Sequence, residues 1–287
     1  MTGRLFIFGL GYSGLEIAKL ARAKGWSVGG TVTTADKAAA LRGEGIDAHP
    51  FDGSAPLAAE SVASASHVLC SIAPGTTGDP VLKSCADRLA DAKWLGYLST
   101  TGVYGDRGGA WVDETAEPRP TQPRSIERLA TEQAWQALGR KTGAAVDIFR
   151  LPGIYGPGRS AVDQVRAGTA RRIDKPGQVF SRIHIEDIAA TVVAALNRPA
   201  RGAIIYNVTD DLPASSSELI AYACELLGKP VLPAIPWSEI EPTMSAMARS
   251  FYSENRRVRN DRIKRELGVV LRYPTYREGL RAIAALG

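Results

Sequence analysis

The sequence predicts an α/β fold, a doubly wound parallel sheet with a smaller C-terminal lobe, and three observations carry that expectation. Short apolar runs alternate with helical patterns through the first two-thirds of the 287 residues, the rhythm of strand–helix–strand units. Several of the runs are continuously apolar, as strands buried on both faces must be. A glycine-rich stretch, Gly9-Leu-Gly11-Tyr-Ser-Gly14, separates the first run from the first helix.

Taken in order, the patterns predict a strand over 5–8, a helix over 14–24, a strand over 27–32 and a helix over 35–42. Strands follow over 46–51 and 67–72, then a helix over 80–92, a strand over 94–99, a helix over 124–141 and a strand over 145–151. Beyond Gly153 the rhythm changes. A loop at Gly156-Pro-Gly158 precedes a helix over 184–196 with Asp187 in its first turn, and then a strand over 204–208. Ser215 and Glu218 have the spacing of a capping box before a helix that stops at Gly228. A last helix is expected over 261–267. No internal repeat or linker interrupts the chain. The expected division is a core of residues 1–160, to which 181–209 return, and a smaller substrate-binding lobe of 161–180 and 210–287.

Composition narrows the class. Apolar residues at 45% and charged residues at 23% are ordinary globular proportions. The charge of +5 suits an anionic small molecule. Arginine is dispersed except at Arg256, Arg257 and Arg259, and no basic stripe carries interleaved aromatics, so no nucleic-acid partner is expected. Cys70, Cys85 and Cys224 are odd in number, widely spaced and mostly in apolar runs, which predicts reduced core thiols. His49, His67 and His184 lack metal-ligand spacing, so no metal is expected. A strand begins almost at the N-terminus, without a signal-peptide pattern. No apolar run approaches the ~20 residues of a membrane span. A cytoplasmic protein with no membrane partner is the expectation.

The glycine stretch matches GxGxxG in the context that gives the pattern meaning, after a strand and opening a helix. Gly9 permits a tight turn, Gly11 lets the backbone approach a pyrophosphate, and Gly14 lets helix and strand pack closely. The helix start at Tyr12 and Ser13 then offers free amides and a positive dipole end to the phosphates. The second strand points to the type of dinucleotide. NAD sites usually end that strand with a carboxylate for the ribose 2′-hydroxyl. Here it ends in Thr33 and Thr34, followed by Lys37. NADP is therefore the expected cofactor, with NAD as the alternative; Arg42 reads as a solvated residue.

Four more segments, read with the turn, resemble the short-chain dehydrogenase/reductase superfamily, in particular its extended branch of nucleotide-sugar epimerases and dehydratases. They are Ser99-Thr-Thr-Gly-Val-Tyr-Gly105, Arg150-Leu-Pro-Gly-Ile-Tyr-Gly-Pro157, Arg182-Ile-His-Ile-Glu-Asp187, and Tyr206-Asn-Val208. The resemblance implies a Rossmann core. It puts Asp52 by the adenine, Ser71, Ile72, Ala73 and Pro74 beside the ribose and nicotinamide, and Leu151, Pro152, Gly153 and Ile154 along the nicotinamide ring. Thr100 falls at the catalytic Ser/Thr position. The plainer reading of Asp52 is a turn former before Gly53. Relatives often dimerise through the helix that carries Arg124, so a homodimer is a candidate assembly.

The chain departs from this pattern at the catalytic pair. The superfamily relies on Tyr-x-x-x-Lys, and no such motif occurs in the sequence. Alignment through Glu132 puts Arg124 at the tyrosine position and Arg128 at the lysine position. Arginine, with a pKa above ~12, is a poor proton donor and a good anion clamp. Residues 124, 128 and 132 share one helix face, so an exposed Arg128–Glu132 pair is the bland alternative. The extended branch usually has GxxGxxG, with its first glycine where this chain has Phe8; a modified turn with a lost tyrosine marks atypical members. Tyr104 is the candidate substitute acid, with Tyr155 behind it, although packing roles suit both. Arg182, Arg256 and Arg257 are expected to hold a small anionic substrate, a nucleotide sugar being one candidate. Phe180 stands where relatives often have a phosphate-binding arginine. Two functions remain open: an NADP-dependent oxidoreductase or epimerase with an atypical active site, and a non-catalytic NADP or metabolite sensor.

Overall fold

The computed structural model describes residues 3–198 and 202–286. Seven strands form one sheet: β1 (Arg4–Phe8), β2 (Ser27–Val32), β3 (Asp47–Pro50), β4 (His67–Cys70), β5 (Trp94–Thr100), β6 (Ala145–Leu151) and β7 (Ala203–Asn207). Their spatial order is β3-β2-β1-β4-β5-β6-β7, and every neighbouring pair is parallel. The chain winds outward from β1 to β3 and then outward again from β4 to β7. The direction reverses between β1 and β4, where open α/β sheets bind ligands beyond their carboxyl ends.

Alternate strand residues serve the two faces. Leu5, Ile7, Val28, Leu69 and Phe149 join one core with Ile17 and Ala21 of α1 (Tyr12–Ala23). Phe6, Phe8, Val68, Cys70, Tyr97 and Ile148 join the other with Val81 and Trp135. Those two come from α3 (Pro80–Cys85) and α4 (Pro123–Thr142), whereas α2 (Ala35–Gly43) supplies Ala38 to the first core. The first core also takes Ile188 and Val192 of α5 (Ile185–Leu196). Both faces of the parallel sheet are therefore covered, which explains the uninterrupted apolar strands.

The remaining elements gather over the carboxyl edge. Tyr155, Val162, Ile220, Cys224, Tyr276 and Leu280 form a separate cluster, drawn partly from α6 (Ser216–Leu226) and α8 (Tyr276–Ala284). Between them, α7 (Asp261–Leu267) sends Ile263 back into the first core. Short parallel pairings tie these excursions down: Gly153–Tyr155 with Arg182–His184, and Trp111–Val112 with Arg257–Val258.

Most of the expected helices begin and end near their expected positions, but one is shorter, and the short helices Ala59–Val62, Ala161–Arg166, Trp237–Ile240 and Ala246–Tyr252 were not anticipated. The helix expected over 80–92 ends at Cys85, where φ −130° and ψ 1° leave the helical region, and a single 3₁₀ turn follows at Ala86–Leu89. The amphipathic α8 was not anticipated, although Thr275 and Glu278 carry its capping box. Among the described residues, no helix is long and apolar enough to cross a membrane.

Candidate active site

The glycine turn lies at the reversal point of the sheet. Gly9 has φ +93°, a conformation that favours glycine. A Cβ on Gly14 would stand 2.1 Å from the Gly9 carbonyl oxygen, so only glycine lets α1 pack this closely on β1. Gly11 differs: a Cβ there would meet nothing within 4 Å. It caps α1 with no side-chain hydrogen bond, and the first helical donor is the Leu15 amide, bonded to the Gly11 carbonyl. The amides of Tyr12, Ser13 and Gly14 therefore have no partner within the helix, and such first-turn donors are what a pyrophosphate requires. The residues fit the phosphates of a dinucleotide.

Around that turn, the Gly9 amide donates to Thr31 Oγ1 at 2.9 Å, and Ser71 Oγ donates to the Gly9 carbonyl at 2.7 Å. Ile72 touches Gly9, so Ser71 and Ile72 support the turn from β4's end. Thr33, Thr34 and Lys37 are exposed beyond β2; Thr34 Oγ1 also caps α2 by accepting from the Lys37 amide at 3.4 Å. Asp52 is exposed and accepts from the Ser54 amide and hydroxyl, at 2.9 and 2.6 Å, which holds its carboxyl below the usual range. It is a turn former before Gly53, as the plainer reading had it. Arg42 is exposed, as expected, and also donates to the Ala48 carbonyl at 2.6 Å.

From this edge a cleft of about 710 Å³ opens over β5 and β6. Ala73, Pro74, Thr100, Pro152, Gly153 and Ile154 border it, as do Arg124, Arg128, Arg182 and Arg256. Leu151 does not; it is 5% exposed and packs into the sheet core. Thr100 Oγ1 accepts from the Gly102 amide at 3.0 Å, which leaves its O–H free to donate. Arg124 is exposed, donates to Ser250 Oγ at 3.2 Å and stacks over the Phe251 ring. Arg128 donates to the Leu98 carbonyl at 2.6 Å and lies over the Tyr97 ring.

Several expectations need correction. No exposed Arg128–Glu132 pair forms. Glu132 is 1% exposed, accepts from Ser99 Oγ at 2.5 Å and pairs with buried Arg150 at 2.7 Å. Tyr104 lies outside the cleft: it is fully buried, donates to Asn207 Oδ1 at 2.7 Å, and sits beneath the Arg150 guanidinium. Burial raises its pKa, against a general-acid role. Tyr155 is likewise buried, against His184. Arg257 faces away and donates to the Gly109 carbonyl, because consecutive residues entering a strand point to opposite sides. Arg256 points inward and pairs with Glu254 at 2.7 Å. Arg182, 8% exposed, donates to the carbonyls of Phe180 and Ala214, and burial pushes it down to about 10.

Sequence reasoning missed Arg159, Ser125, Glu254 and Phe251, which also border the cleft. Arg159 was legible only as the cation after Gly156-Pro-Gly158. Ser125 lies on the helix expected over 124–141, where a lone serine carries no signal, and Glu254 and Phe251 sit in a stretch for which no element was expected.

A parallel sheet with a glycine turn at its reversal point, and a cleft over the adjoining strand ends, defines the Rossmann-like class of doubly wound α/β proteins. Residues 75–209 match the NAD dependent epimerase/dehydratase family. A functionally unknown conserved protein from Silicibacter pomeroyi DSS is 47% identical and superposes with a TM-score of 0.87, over 99% of both chains. Protein YeeZ of Escherichia coli (strain K12) is 29% identical over 218 residues, 71% of this chain and 77% of YeeZ. MoeE5, solved in complex with UDP-glucuronic acid and NAD, shares the fold at 17% identity and a TM-score of 0.76, over 99% of this chain and 98% of its own.

Proposed function

We propose that the chain is an NADP-dependent oxidoreductase acting on a small anionic substrate, with Thr100 rather than a tyrosine against the reacting oxygen. One observation supports this reading above the others. A single cleft joins Thr100 and the 152–154 segment beside the glycine turn to Arg124 and Arg128, which form no ion pair among the described residues.

The nicotinamide, when bound, supplies or accepts a hydride. The Thr100 hydroxyl, already accepting from Gly102, donates to the substrate oxygen and orients it. Arg128 occupies the family's lysine position and, anchored to Leu98, offers its remaining donors to ribose or substrate. Tyr252 also borders the cleft, but its hydroxyl is engaged with Ser216 at 2.9 Å. The proton that accompanies reduction of a carbonyl is therefore exchanged with solvent in the open cleft. The preference for NADP rests on the absence of a carboxylate at the end of β2, with Lys37 nearby to meet a 2′-phosphate.

A second reading has its own support. Arg124 and Arg128 replace the acid/base pair, which suits a protein that binds NADP and a metabolite without turning either over. NADPH oxidation against a panel of carbonyl compounds separates the two. Turnover that falls at least about 100-fold in Thr100→Ala supports the enzyme. Tight NADPH binding without turnover supports the sensor, and turnover that survives Thr100→Ala contradicts the role given to Thr100.

A further inference from the structure

The cations that line the cleft are unequally committed. At the glycine-turn end, Arg159 stands over the Tyr12 ring at 5.8 Å, and the Tyr12 hydroxyl is tied to the Pro157 carbonyl. This cation adjoins the phosphate cradle and belongs with the dinucleotide. Deeper in the substrate end, two arginines are already committed. Arg256 is paired with Glu254 and also donates to the Gly105 carbonyl at 2.9 Å. Arg182 spends its bonds on the carbonyls of Phe180 and Ala214, with buried Asp210 as its electrostatic counterweight. Arg124 and Arg128 remain. Their guanidinium groups are held on aromatic rings, 5.3 Å from the Phe251 centroid and 5.7 Å from that of Tyr97. No carboxylate offsets them among the described residues.

The cleft that holds these two arginines also has an apolar part. Phe180, Val179, Met244 and Phe251 border the cleft, and Phe251 is 59% exposed at its mouth. The phosphate-binding arginine expected at position 180 by resemblance is a phenylalanine here. A diphosphate demands several uncommitted donors along its length, whereas this part offers it rings and methyl groups. A single carboxylate needs only one guanidinium fork, and an attached ring gains by covering exposed aromatic surface.

We infer that the substrate is a small aryl or alicyclic carboxylate, its anionic group on Arg124 and Arg128 and its ring on Phe180 and Phe251, rather than a nucleoside diphosphate sugar. The inference deepens the proposed function and rests on its assignment of the cleft to the substrate.

The test is calorimetric titration of the full chain, with and without saturating NADP, using cinnamate, cinnamyl alcohol and UDP-glucose as probes. Cinnamate is expected to bind at least about tenfold more tightly than either other probe, and Arg124→Gln and Phe180→Ala are each expected to weaken it about tenfold. Arg124 is exposed, so its variant reports on binding even where Phe180→Ala disturbs packing. UDP-glucose binding more tightly than cinnamate overturns the inference. So does absence of cinnamate binding, or cinnamate affinity unchanged in Arg124→Gln. Loss of NADP binding alone instead contradicts the proposed function, because the cofactor-free titration still reports the preference of the cleft.

Discussion

Arg150 and Glu132 are 2% and 1% exposed, and their ion pair ties α4 to the end of β6 beneath the cleft. Ser99 completes the carboxylate's bonds, and the Arg150 guanidinium lies over Tyr104 at 4.8 Å. Two buried charges are tolerable only when each compensates the other. Glu132→Gln leaves Arg150 charged in the interior, and a loss of about 3 kcal/mol is expected, measured as a drop in urea midpoint. An unchanged midpoint would contradict the structural role given to this pair. The pair also explains what single-residue reading could not reach. Helical spacing alone offered Arg128 as Glu132's partner. The actual partner lies on β6, eighteen residues on, brought close by the strand order. Arg256 and Arg257 were similarly indistinguishable as sequence, and only the short strand they enter separates an inward from an outward arginine.

At the scale of elements, the glycine turn was legible because each of its residues has a separate backbone task. Those tasks predict different failures. Gly14→Val pushes a side chain into the Gly9 carbonyl and should lower the melting temperature along with any dinucleotide binding. Gly11→Val meets open space at an ordinary φ of −91°. It should cost about 1 kcal/mol as a poorer cap, yet weaken dinucleotide affinity at least about tenfold. Thermal melts and titrations on the same two variants check this; Gly11→Val binding normally would remove the turn from the site. Strands were readable because burial on both faces makes them continuously apolar. The short pairings over the carboxyl edge were not, since two- and three-residue strands such as Arg257–Val258 have no periodicity. Glu254, just ahead of one such pairing, stayed hidden for the same reason, and Phe251 lies on the seven-residue helix Ala246–Tyr252, too short to show a helical period.

On the scale of the whole molecule, His184 marks the junction between the sheet core and the cluster over its edge. It is 1% exposed and packs against Tyr155 and Tyr273, with Arg272 close by and Glu186 and Asp187 on the helix it caps. Its Nδ1 accepts from the Glu186 amide at 3.3 Å, a bond that the doubly protonated ring cannot make. Burial, with Arg272 nearby, pushes its pKa down to about 4. The unfolded chain, near 6.5, thus binds the proton first. The stability contributed by neutral His184 is full above about pH 6.5 and is lost as pH falls toward 4. Asp187 and Asp210, raised by burial, act in the opposite sense, so the comparison must isolate the histidine. His184→Asn keeps a capping acceptor without the titration. The wild-type melting temperature should therefore fall more steeply than the variant's between about pH 7 and 5; parallel curves would contradict the assignment.

The account depends most on the cradle at the start of α1, and titration of the purified chain with NADPH and NADH tests it directly. Saturable binding of both is predicted, with NADPH the tighter ligand and Lys37→Ala reducing its advantage several-fold. Failure of either dinucleotide to associate at millimolar concentration would contradict the assignment of the cleft and the function built on it.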